Sequence, residues 1–168
     1  YSYWPTVTVP VAEAGYYVFP LAIVDTMFKE NGVTNANDAQ SIPLAKLQEI
    51  FGADAALYIR IKEYGSKYQL LQTVVSVSAE AKLVDLKTGS TLWTGEKALV
   101  QSSNDGNNNG LAGMLVNAVV QQIVNNVSDR AYPLSSVVNQ QLFTPTRAVG
   151  MGLLYGHRSP KYQQDGLQ

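Results

Sequence analysis

The chain has 168 residues and a mass of 18.3 kDa, a size that suits one domain able to bury a core of its own. Twelve basic and 13 acidic side chains leave a formal net charge of −1, which excludes bulk nucleic-acid binding, since that needs clustered Lys and Arg. With no cysteine and one histidine, His157, the chain has no disulfide framework, no thiolate chemistry and no metal site that needs two imidazoles of its own.

The first segment, YSYWPTVTVPVAEAG, reads two ways. Tyr3, Val7, Val11 and Ala14 recur at helical spacing, whereas TVTVPV alternates like a strand. A Pro-kinked helix ended by Gly15 is the preferred reading. Tyr16–Pro20, aromatic and β-branched, is expected to be a short buried strand. Ala22–Glu30 reads as a helix, followed by an NGVTNAND loop. Pro43 opens a further helix, striped by Leu44, Leu47, Ile50 and Phe51 and stopped by Gly52.

Three strands follow. In Ala55–Tyr64, Leu57, Ile59 and Ile61 face one way, and Tyr58, Arg60 and Lys62 the other. Gln69–Asp85 puts Val75, Val77, Ala79, Ala81 and Leu83 on one face. Thr91–Val100 is the third, joined to the second by a tight DLKTGS turn. SNDGNNNG, residues 103–110, is a polar loop. Leu111, Leu115, Val119, Ile123 and Val127 predict a long helix, whose five amides rule out a comfortable membrane span. Pro133 ends it or starts a shorter helix, LSSVVNQQLF. The tail after Thr144 is rich in Gly and Pro and has no period.

These elements predict an α/β (α+β) fold with a mixed, largely antiparallel sheet and helices on one face. Residues 1–143 form one domain, and 144–168 an extended arm packed on the domain or on a partner.

No catalytic constellation emerges. Lys87-Thr88-Gly89 matches the KTG element of penicillin-recognising serine enzymes, but their Ser-x-x-Lys and Ser-Asp-Asn elements are missing, and a hairpin turn explains the three residues. Gly150, Gly152 and Gly156 miss the dinucleotide-binding spacing by one residue. His157 has no recognisable nucleophile spacing and reads as a surface or interface residue. Asp25, Asp54, Asp85 and Asp129 fall near element ends, where Asp caps or turns the chain. The Asn126 sequon lies inside the predicted long helix and is discounted. No catalytic, cofactor-binding or metal-binding residue is assigned, and no cofactor is expected. Tyr1, Tyr3, Trp4, Tyr155, His157 and Tyr162 form the candidate interaction surface, with ordinary packing an equal explanation of the aromatics.

The segments VPVAEAGYYVFPLAIVDTMFKENG, LQEIFGADAALYIRIKEYG, AKLVDLKTGSTLWTG and GLLYGHRSPKY resemble a family of bacterial lipoproteins, number 799 in the domain-of-unknown-function series. LVDLKTGSTLW is also similar to a hairpin of CsgG-like and penicillin-binding-protein-activator lipoproteins, with the TolB N-terminal domain related in fold. The resemblance implies an outer-membrane lipoprotein facing the periplasm, without known enzymatic activity. It also implies envelope proteins as partners, among them a secretion-pore lipoprotein. A homodimer is expected, and contact with the membrane only through a lipid anchor upstream of Tyr1. Family members carry a first strand of the type ILVLPP, which these residues lack, so an open strand position in the sheet is expected. The function expected is that of a non-enzymatic accessory of secretion, transport or envelope assembly. The alternative is a small-molecule or lipid carrier with its ligand between the sheet and the long helix.

Overall fold

The computed structural model describes residues 3–69, 72–102, 131–145 and 152–164. The polar loop 103–110, the long helix predicted over 111–127, Gly150 and Tyr1 lie outside the described residues. Described elements run α1 (Pro5–Glu13), α2 (Leu21–Glu30), α3 (Ala36–Ser41), α4 (Leu44–Phe51), β1 (Ala55–Gln69), β2 (Gln72–Asp85), β3 (Thr91–Ser102) and α5 (Ala131–Phe143). The strands form an antiparallel sheet in the order β1-β2-β3, and the fold is of the α+β class.

Helices α1 and α5 pack on each other, and α5 covers one face of the sheet. The core between them is the one the periodicities mark. Tyr3, Val7, Val11 and Ala14 come from the α1 segment, and Val75, Val77, Ala79, Ala81 and Leu83 from β2. Leu134, Val138, Leu142 and Phe143 come from α5, and Trp93 joins from β3. Fully burying an aliphatic or aromatic side chain of this size contributes roughly 1.5–3 kcal/mol. A buried amide ties the two helices together. The Tyr3 hydroxyl donates to Asn139 Oδ1 at 2.6 Å, and Asn139 Nδ2 donates to Thr6 Oγ1 at 2.7 Å. Thr6 Oγ1 donates in turn to the Tyr3 carbonyl at 2.6 Å. Each polar atom taken out of water on this path has a partner, which removes most of its desolvation cost.

Several expectations need correcting. Tyr16–Pro20 pairs with no sheet ladder among the described residues and is not a strand there. NGVTNAND is not wholly loop: Asn35 caps α3, its side chain accepting from the Asp38 amide at 2.9 Å. Strand β1 runs on to Gln69, well past Tyr64. A bulge between Ile61 and Glu63 reverses its alternation there. Tyr64 therefore packs against the core, while Ile61 is 45% exposed. In α4 only Leu47 of the predicted stripe is buried, with Gly52 closing the helix in the left-handed region as expected.

The turn between β2 and β3 is built around Asp85. Its Oδ1 accepts from the Lys87 amide (2.9 Å), the Thr88 amide (2.7 Å) and the Thr88 hydroxyl (2.9 Å). These bonds, those from Thr88 foremost, hold the Asp85 carboxyl below its ordinary range. Lys87-Thr88-Gly89 is thus a structural turn.

The opposite face of the sheet is charged. Glu80 and Glu96 sit directly opposite each other in the β2–β3 register. Lys62, the bulge residue, bridges them, with Nζ 2.9 Å from Glu80 and 2.8 Å from Glu96; Arg60 adds a contact of 3.5 Å to Glu80. The two carboxylates hold the Lys62 ammonium pKa up, and Lys62 holds that of Glu80 down.

Candidate interface along helix α1

Helix α1 buries one side and leaves the other open. Trp4, Pro5, Thr8, Val9 and Ala12 fall on that open side, and two hollows border it. The larger, about 460 Å³, is lined by Thr8, Val9 and Ala12, by residues 16–21 and by Arg158. The smaller, about 190 Å³, is lined by Trp4, Pro5, Leu21, Ala22 and Asp25. Leu21 borders both, so they form one groove along the helix. Its walls are mostly apolar, and Val9 and Tyr17 stay 60% and 57% exposed. The backbone groups of Tyr17, Val18 and Phe19 make no hydrogen bond among the described residues.

The groove is positioned by the C-terminal arm. Leu153 enters the core, and the Tyr16 hydroxyl donates to the Leu154 carbonyl at 2.9 Å. The Gly156 amide donates to the Ala14 carbonyl at 2.8 Å, and the Arg158 amide to the Gly15 carbonyl at 3.2 Å. Gly15 has φ +100°, a region L side chains rarely adopt. These contacts set the Arg158 guanidinium 5.2 Å above the Tyr17 ring. At the other side, Tyr17, Phe19, Phe51 and Phe28 form a chain of ring contacts, with centroids 5.3, 6.2 and 5.3 Å apart.

The candidate residues named from the sequence do not form one patch. Tyr3, at 5% exposure, is a core residue, and burial pushes its hydroxyl pKa up to about 12. Trp4 is half-buried at the small end of the groove. Tyr155, His157 and Tyr162 sit on the arm, where Gly156 and Arg158 bond to Ala14 and Gly15 at the other end of α1, an end about 16 Å from Trp4 at ~1.5 Å per helical residue. Tyr1 lies outside the described residues. The sequence reading missed Val9, Tyr17 and Arg158. The signal available was the apolar outer side of α1 at Val9, next to an aromatic run.

Among the described residues no group of three or more His, Cys, Asp or Glu side chains is placed to hold a metal ion. No helix there is long and apolar enough to cross a membrane.

A family model described as "Putative lipoprotein GNA1162-like" matches residues 1–158. The chain belongs to the GNA1162-like lipoprotein family. It is 49% identical over 136 residues to "Putative lipoprotein NMB1124/NMB1162" of Neisseria meningitidis serogroup B (strain ATCC BAA-335 / MC58). That alignment covers 81% of this chain and 63% of the relative, so the chain spans a little under two thirds of the relative's length. The crystal structure of lipoprotein GNA1162 from Neisseria meningitidis superposes with a TM-score of 0.57 at 52% identity, covering 71% of this chain and 82% of that one. This GNA1162-like chain thus shares its fold with a solved lipoprotein.

Proposed function

We propose that this GNA1162-like chain is a non-enzymatic domain of a lipid-anchored protein on the periplasmic face of the outer membrane. It works through protein–protein contacts as an accessory of secretion, transport or envelope assembly, and self-association into a homodimer is one of those contacts. The observation that carries the reading is the groove along α1. It is open, mostly apolar, and leaves Val9 and Tyr17 exposed where a partner would cover them. Membership of a lipoprotein family supports the envelope location. His157, the sole candidate base, is exposed on the arm, and the reading gives it no task.

Native mass spectrometry of protein purified without detergent tests this against the carrier alternative. The expected spectrum holds the bare chain or its dimer. A small molecule retained in stoichiometric amount would replace the partner reading by the carrier.

A further inference from the structure

We propose that the docked arm is a second membrane contact, a patch that engages a bilayer surface containing anionic lipid. Arg158 and Lys161 lie three residues apart. Arg158 stands over the Tyr17 ring at 5.2 Å and Lys161 over the Tyr155 ring at 5.7 Å. Neither is in any of the ion pairs found among the described residues. Lys67, Lys82 and Lys97 of the sheet also stand outside these pairs, Lys82 lying 5.1 Å over the Tyr58 ring; what sets the arm apart is two such cations three residues apart beside exposed Leu154 and Tyr162. Glu13, at the adjoining end of α1, is in none of the ion pairs found among the described residues.

The local backbone gathers this surface. The Ser159 amide donates to the Gly156 carbonyl (2.9 Å), Tyr162 to Ser159 (3.0 Å) and Gln164 to Lys161 (3.0 Å), so residues 156–164 form consecutive turns. Beside the cations and the exposed His157, Leu154 and Tyr162 are 51% and 48% exposed. Exposed cations next to Tyr rings and a leucine match the chemistry of a membrane interface. There Tyr sits at headgroup level, Lys and Arg are drawn to anionic lipid, and apolar side chains enter the acyl boundary. Both cations are exposed, so an extended anionic surface fits them better than a pocket for one small anion does. Two cations are a weak anchor alone. A protein already tethered by lipid needs only such a weak contact to fix its orientation. This inference rests on the lipid-anchored reading and shares Arg158 and Tyr17 with the groove, whereas Lys161 and Tyr155 lie outside it, so Lys161→Gln tells the membrane contact from the partner contact.

The test is co-sedimentation of the 168-residue chain with a large molar excess of lipid, enough to register so weak a contact without a tether, as vesicles of phosphatidylcholine alone or of phosphatidylcholine and phosphatidylglycerol in equal parts. The chain should sediment with the mixed vesicles and not with the neutral ones, and raised salt should release it by screening. Arg158→Gln with Lys161→Gln should reduce binding to the neutral-vesicle level, about tenfold or more for two cations. Lys29→Gln with Lys46→Gln removes the same net charge elsewhere and should bind like the parent. Equal binding to both vesicle types, retained binding by the arm variant, or equal loss in both variants would overturn the proposal. If the arm double variant melts early, Lys161→Gln alone is read instead, and it must still bind more weakly than the parent.

Discussion

Gly15 and Gly156 meet so closely that neither can carry a side chain. A Cβ on Gly15 would lie 2.6 Å from the Ser159 nitrogen and 2.8 Å from the Gly156 carbonyl oxygen, and one on Gly156 would collide with the Gly15 carbonyl. The pair joins the end of α1 to the arm across 141 residues of sequence, and so sets where Arg158 stands over the groove.

Gly156→Ala should therefore undock the arm. Overpacking of this kind costs about 1–3 kcal/mol, and Gly15→Ala adds left-handed strain to it. Both variants should lower Tm, and limited proteolysis should cut the arm near His157 earlier than in the parent. An arm equally resistant in Gly156→Ala would refute the latch.

The Tyr3–Asn139–Thr6 chain should make the protein alkali-sensitive. A free tyrosine ionises near pH ~10, whereas burial pushes the Tyr3 hydroxyl up to about 12. The fold thus favours the protonated form, its contribution is complete below pH ~10, and it is lost as pH rises from there to about 12, on the order of 2 kcal/mol in total. Urea midpoints measured across that interval should fall less steeply for Tyr3→Phe than for the parent. Asn139→Ala, which leaves buried partners unsatisfied, should cost roughly 2–3 kcal/mol at neutral pH.

Lys62 should govern the titration of Glu80. In Lys62→Met the two facing glutamates lose their bridge, and NMR titration should show the Glu80 pKa rising toward the ordinary carboxylate value. Because the fold holds Glu80 low, its pairing supports the folded state above the unfolded carboxylate pKa and fades as pH falls. The parent should therefore lose stability on acidification more than the variant does, and the difference should shrink in high salt.

Gly95 lies under the Trp93 ring, where an added Cβ would strike the indole and come within 2.9 Å of Leu142 Cδ1. Gly95→Ala should lower stability by about 1–3 kcal/mol and shift the tryptophan emission, since the ring must move. An unchanged emission and Tm would mean the core yields there at no cost.

The periodic parts of the fold were legible. Strand β2 keeps a strict alternation from Val75 to Leu83, and the α1 segment keeps a four-residue rhythm through Tyr3, Val7 and Val11, so both core faces follow from spacing alone. What eluded the sequence depends on distant contacts or on one inserted residue. The Lys62 bulge flips the end of β1 without any Gly or Pro at the site. The spacing put Tyr3 on the core side of the α1 segment, but its hydrogen-bond partner, Asn139, is 136 residues away and no local pattern points to it. The YYVFP run has strand composition, but a ladder needs a neighbour, and none pairs with it among the described residues. Arg158 could be placed at the groove only through the glycine latch.

Photocrosslinking in the envelope shows whether the α1 groove is a partner surface. A benzophenone side chain is placed at Val9, at Tyr17 and, as a control on another exposed apolar position, at Val100. Val9 and Tyr17 should each give a discrete adduct with an envelope protein or a second copy, Val100 none, and the Tyr17 adduct should be lost when Val9→Asp is added. No adduct from either groove position, or the same adducts from Val100, would contradict the partner reading.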